Sequence, residues 1–252
     1  MTKFITKELA VIPKMVNPVL IEGLPGIGNV ARLCVDYLVD KLKAKKFLEL
    51  FSDSFPNSVM INDDSLIKMF NLEFFHVKVE GRDLIFLAGD VQPTSDAESY
   101  ALCQEVVALL KEWGVKEVVT IGGIGLPEAP DKARVHAVVN DLVLKDSLKG
   151  LKVIFDGSET VKIILGVTGL LLGVAGLNGL KGFSLLVETL NDPQHVGIKE
   201  SREVLKLLVE YLGISLDFAE LNEEIKSFEQ EIKEESRITR GLDKPLTQGY
   251  IG

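Results

Sequence analysis

Only two cysteines occur in the 252 residues, Cys34 and Cys103, far apart and without a CxxC pair. That count excludes a disulfide framework and a thiolate metal centre, and it suits a reducing, cytoplasmic compartment. Histidine is equally scarce. His76, His136 and His195 are scattered, with no i, i+4 pair and no HExxH, so no metal site is expected. No GxSxG nucleophile elbow appears, and a P-loop would need a lysine and hydroxyl after its glycines that this chain lacks. Basic residues are the minority, 28 against 37 acids, for a net charge of -9. Such a surface repels polyanions, which argues against nucleic acid as a partner. The first fifteen residues, MTKFITKELAVIPKM, hold no long apolar run before a small-residue cleavage site, so no secretion signal is expected.

One uncharged run does reach the length of a membrane span, the eighteen residues from Ile163 to Leu180. It contains five glycines and Asn178, with Gly169 and Gly173 in the small-xxx-small spacing of packed helices. Glycines let a helix approach a sheet closely, so a buried core helix from about Val161 to Leu177 is the reading here, and no membrane association.

What remains is globular: 46% hydrophobic and 26% charged. The run from Pro18 to Leu24 reads as a buried strand, followed by a glycine turn and a helix from Val30 to about Lys43. Further strands are expected at Phe47–Phe51, Ser58–Ile61, Phe74–Val79 and Leu84–Ala88, the last two joined by a turn at 80–83. A helix should start at Ser95 or Asp96, with Glu98 in its first turn, and end at Gly114. The strand Val118–Ile121 then runs into what reads as a second glycine loop, 122–125. Strands at Val135–Val139, Val153–Phe155 and Phe183–Val187 and a strongly periodic helix, Ile198–Leu212, follow. The alternation predicts an α/β layered domain over residues 1–213 with a mainly parallel central sheet.

From Asp217 the character changes. Phe218, Leu221, Ile225, Phe228 and Ile232 recur at spacings of 3, 4, 3 and 4, the seam of a short amphipathic helix or coiled coil over 214–236. Eight acids and two bases between Asp217 and Glu235 give it a solvated acidic face. The seam serves self-association, a partner, or packing on its own domain. Residues 237–252 are polar, with Gly and Pro breakers, and read as a flexible tail.

Three loops could hold a ligand. Gly26-Ile27-Gly28-Asn29-Val30-Ala31 matches GxGxxA between a strand and a helix, and Glu49 follows where a dinucleotide fold places its ribose-binding acid. The same residues also suit a plain structural turn. Asp90 and Gln92 follow one strand, and Gly123 another, at ends where α/β proteins favour ligands. Asp90, Glu98 or Glu128 could act as acid or base, and Asp90 and Asn29 could equally satisfy loop amides. No nucleophile, base and orienter can be named together, so no catalytic residue is assigned.

Four ordered blocks, GLPGIGNVA at 23–31, GDVQP at 89–93, IGGIG at 121–125 and TGLLLGVAGLNGLKGFSLLVET at 168–189, resemble the proteasome assembly chaperone family, especially its archaeal members. The resemblance spans about residues 15–213. It implies a phosphorylase/hydrolase-like fold with no established enzymatic role or cofactor, binding to proteasome α-subunits, and promotion of core-particle assembly. It also implies a C-terminal hook, a hydrophobic residue followed by tyrosine and one final residue, that inserts between neighbouring α-subunits. In this chain Tyr250 stands third from the end, before Ile251 and Gly252. A shifted register would put Tyr250 in the hydrophobic slot and Ile251 in the tyrosine slot, with the Gly252 carboxylate facing a lysine and Leu246 as an accessory contact. A homo-oligomer would present several such tails to a ring and gain by effective concentration. The other function class is a phosphorylase- or hydrolase-like enzyme, or a nucleotide- or phosphate-binding protein, using the loops Gly26–Asn29 and Gly89–Pro93.

Overall fold

The computed structural model describes residues 2–155, 162–219 and 221–223. The chain divides into two compact units, Met1–Ser215 and Leu216–Gly252. In the first, strands β1 (Phe4–Glu8), β2 (Val19–Gly23), β3 (Lys45–Ser52), β6 (Leu72–Val79), β7 (Arg82–Gly89), β8 (Glu117–Leu126), β9 (Val135–Val139) and β10 (Lys181–Leu190) build one sheet. Its order is β1-β3-β6-β7-β2-β8-β10-β9. The four central strands, β7, β2, β8 and β10, run parallel, as expected of fully buried apolar strands with helices on both faces. The flanking pairs are antiparallel, which makes the sheet mixed.

Helices α1 (Val30–Lys41) and α5 (Ile198–Leu212) pack on each other, as do α2 (Asp96–Glu112) and α4 (Val167–Leu177). Side-chain alternation along β2 separates the two pairs. Leu20 joins the core built with α2 and α4, whereas a Cβ on Gly23, three residues on, would lie 2.4 Å from the Val35 side chain of α1. The larger core holds Trp113 in edge contact with Phe47 and Phe74, its ring centroid 5.2 and 5.1 Å from the two phenylalanines.

Local signals act as anticipated in several places. Ser95 caps α2: its hydroxyl accepts from the Glu98 amide at 3.4 Å and donates to the Glu98 carboxylate at 2.7 Å. Glu98 is thereby a capping residue. The β6–β7 turn is tighter than the expected four residues. Only Glu80 and Gly81 remain outside the strands, both with positive φ (49° and 82°), the two-residue turn whose twist matches a hairpin.

Other expectations are corrected. Gly122–Gly125 is no loop but the continuation of β8, held in register against Leu186–Thr189 of β10. The glycine-rich helix begins at Val167, because Gly166 has φ 78° and the backbone from 162 to 166 is not helical; Val161 lies outside the described residues. With eleven residues it is far short of a membrane span, and no described helix is long and apolar enough to cross one. Val153–Phe155 contributes a single bridge, Ile154 to His136, in place of a strand. Strand β1, the helix α3 (Leu142–Ser147) and β5 (Ile67–Met69), which pairs with β4 (Val59–Ile61) in a separate two-stranded sheet, carry too short a pattern to be read in advance.

Of the second unit, Asp217 accepts from the Ala219 amide at 2.8 Å, and the Asn222 amide donates to the Phe218 carbonyl at 3.0 Å, the opening of a helical turn that includes Leu221. Ile225, Phe228 and Ile232 of the seam, and the tail residues Leu246, Tyr250, Ile251 and Gly252, lie outside the described residues.

Candidate functional site

The carboxyl ends of β2, β8 and β10 open onto two adjoining clefts that share Gly26 and Ile27. The first, about 370 Å³, is lined by Gln92, Gly122–Gly125, the segment 162–165, Thr168 and Leu186. The second, about 480 Å³, lies between Gly28–Asn29 and the loop Asn191–Val196 that follows β10. The tertiary fold thus gathers Gly26, Gly28, Asn29, Gln92 and Gly123 at one edge, which their sequence separation alone does not reveal.

The geometry assigns most of these residues structural work. Gly28, at φ 63°, has space for no side chain, since a Cβ would sit 2.8 Å from the Thr189 hydroxyl. Its carbonyl accepts from the Gly197 amide at 2.8 Å. A Cβ on Gly123 would lie 2.5 Å from the Ile27 carbonyl. The Gly28 end of the GxGxxA turn is therefore pressed between β8, β10 and the start of α5 and serves protein packing, whereas Gly26 faces open space where the two clefts meet. Glu49 is no ribose ligand either: β3 lies three places from β2 in the sheet, and Glu49 pairs with Lys7 and Lys46 at 3.1 and 3.0 Å.

Asp90 points away from both clefts, into pairs with Arg32 (3.4 Å) and Lys68 (3.1 Å). Gln92 is a clamp: its amide nitrogen donates to the Pro25 carbonyl at 2.5 Å, and its oxygen accepts from the Val167 amide, the first of α4, at 2.9 Å. Glu128 is exposed. Each histidine meets its own carboxylate, His76 with Asp83 (2.8 Å), His136 with Glu188 (3.3 Å) and His195 with Glu200 (3.1 Å). Arg134 also binds Glu188, and the two together hold that carboxyl below its ordinary range against the opposing effect of burial. Among the described residues no group of three or more His, Cys, Asp or Glu could hold a metal. Burial pushes the Cys34 thiol up, and the Cys103 thiol up to about 12, so neither is a ready nucleophile.

Sequence reasoning missed Glu22. This residue of β2 is fully buried, its Oε1 accepts from the Leu24 amide at 3.0 Å, and its Oε2 has no partner among the described residues. Burial pushes its carboxyl up to about 8, offset only in part by the amides of Leu24 and Ile121 and the Thr168 hydroxyl. Directly across the sheet stand Thr120 and then Ser184, whose buried hydroxyls likewise lack partners. The available signal was one acid inside the otherwise apolar VLIEG.

A row of buried polar groups under α4, clefts walled by glycine backbone, and paired carboxylates assemble no nucleophile, base and oxyanion donor among the described residues. Against known proteins, the chain matches the PAC2 family over residues 20–236. The chain belongs to the PAC2 family. The Methanocaldococcus jannaschii protein MJ1210 is 34% identical to it over 265 residues, spanning 100% of this chain and 99% of its own length. Pyrococcus furiosus PbaB, described as an archaeal proteasome activator, superposes with a TM-score of 0.84 at 34% identity, covering 93% of this chain and 98% of PbaB. Pyrococcus furiosus PbaA, described as an archaeal homologue of a proteasome-assembly chaperone, shares the fold, with a TM-score of 0.76 at 23% identity over 94% of this chain and 93% of its own.

Proposed function

We propose that this protein is an ATP-independent cytoplasmic factor that binds proteasome α-subunits and promotes assembly of the core particle, acting as a homo-oligomer. The observation that carries the proteasome-related part of this reading is the 34% identity to PbaB along nearly the whole of both chains, and assembly through α-subunits is what the family resemblance adds. The crowding of Gly28 in the GxGxxA turn by Thr189 supports a mechanism without nucleotide. Contact with α-subunits runs in part through the C-terminal residues, with Tyr250 and Ile251 as apolar anchors, Gly252 supplying the carboxylate and Leu246 an accessory contact. The Phe218 to Ile232 seam serves self-association or the α-ring. Several tails on one oligomer would engage a ring far more tightly than a single tail.

The test is capture of purified α-subunits by the full-length protein and by a form lacking residues 246–252. Capture by the full chain, reduced in the shortened one, is the expected result. Equal capture would remove the tail from the mechanism, and no capture by the full chain would overturn the reading. A second reading, activation of the finished particle, is favoured by the description of PbaB as an activator. The two separate in one pair of assays: an assembly factor speeds the joining of α- and β-subunits, whereas an activator raises peptide hydrolysis by mature particles.

A further inference from the structure

β8 outruns its neighbour. Its pairing with β2 ends at Thr120, opposite Glu22, while its pairing with β10 continues to Leu126. Backbone groups alternate sides along a strand, and the Leu126 carbonyl accepts from Asn191, just beyond β10. Gly122 and Ile124 therefore face β10 as Leu126 does, and Gly123 and Gly125 face the side that β2 has left. No described residue bonds to the amides or carbonyls of Gly123 and Gly125 on that side. Both residues are only half-buried.

This open edge, about 10 Å long from Gly122 to Gly125 at the usual strand rise, forms one wall of the 370 Å³ cleft. The other walls are mostly apolar, Ile27, Ile163, Ile164, Leu165 and Leu186 beside Gln92 and Thr168, with Ile163 and Leu165 78% and 85% exposed. Unpaired strand edges and exposed large apolar side chains are both features that single-chain proteins usually cover. Among the described residues Lys162 is the one charged side chain lining the cleft, a positive spot on a protein of net charge -9.

We propose that this cleft is a docking site for an extended peptide segment of another protein, which adds as a strand beside Gly122–Gly125. The segment bonds through its main chain to Gly123 and Gly125, lays apolar side chains against Ile163 and Leu165, and carries a carboxylate toward Lys162. Main-chain pairing supplies affinity, and the walls and the lysine supply selectivity. Gly123 and Gly125 lack side chains because a Cβ would meet the Ile27 carbonyl and the Asn191 side chain, and the same lack leaves the incoming backbone unobstructed.

Because the main chain provides most of the affinity, a synthetic probe suffices: fluorescein-labelled Ser-Val-Thr-Ile-Glu-Val, acetylated and amidated, titrated with the full-length protein at low salt. Saturable anisotropy is expected. Methylating alternate amide nitrogens on the probe edge should weaken binding at least tenfold. A lysine in place of the probe's glutamate should weaken it about threefold, and Lys162→Glu should invert that preference. Leu165→Asp, at a side chain too exposed to matter for folding, should also weaken it. No saturable binding, equal binding of the methylated probe, or an unchanged preference in Lys162→Glu would each overturn the proposal. None of these readouts uses proteasome subunits, so the assignment stands or falls apart from the proposed function.

Discussion

Replacing Glu22 with glutamine should change how stability depends on pH. The folded carboxyl titrates near 8 and the unfolded one near 4.5, so between those values the folded protein holds a proton that the unfolded chain has lost. Proton-linked stability is thus complete below 4.5 and falls by about 1.4 kcal/mol per pH unit up to 8. The full span of about 3.5 units corresponds to roughly 5 kcal/mol, of which some 4 kcal/mol are lost between pH 5 and 8. Glutamine is nearly isosteric and never ionises. Its oxygen can accept from the Leu24 amide, but its nitrogen replaces an oxygen that has no partner, at a cost of about 1–2 kcal/mol at every pH. The variant should therefore be slightly less stable than the parent at pH 5 and more stable by about 2–3 kcal/mol at pH 8, the curves crossing between about pH 5 and 6. Urea denaturation at pH 5, 6, 7 and 8 measures this directly. Parallel curves for parent and variant would refute the assignment of Glu22 as a buried, mostly protonated acid.

Two further substitutions test the packing around the clefts. Gln92→Ala removes both bonds of the clamp and leaves the first amide of α4 unpaired, for a loss of about 1–3 kcal/mol in denaturant unfolding, with the helix itself retained by circular dichroism. Gly23→Ala places a methyl 2.4 Å from both the Ala31 carbonyl and the Val35 side chain, so α1 must shift; a loss of about 1–3 kcal/mol is expected, and a neutral result would mean that α1 does not rest on the end of β2.

Much of the framework was legible because its causes are local. α5 carries a periodic apolar face over its whole length, and its bounds fall where the pattern places them. Ser95 and Glu98 announce the start of α2 three residues apart, and Gly81, free to take positive φ, marks the β6–β7 turn. The candidate site was legible in its parts and misread in its roles. Gly26, Gln92 and Gly123 do line one cleft, but Gln92 is a clamp, Asp90 belongs to Arg32 and Lys68, and Gly123 is in a strand. Glycine is poor in strand propensity and common in loops, so a GGIG run extends as a strand only when a neighbour such as β10 supplies the ladder.

The sequence by itself determined the α/β class, the places of most helices and strands, the lack of a metal-binding or nucleophilic motif, and the family resemblance, since each rests on residue types and spacings within a short stretch. Only the tertiary structure decided that Glu22 is sealed beneath α4, that Gly28 of the GxGxxA turn is closed in by Thr189 and Gly197, and that β8 runs past β2 to leave an open edge. Those facts depend on which strands become neighbours, and strand order is set by long-range packing that no local pattern encodes.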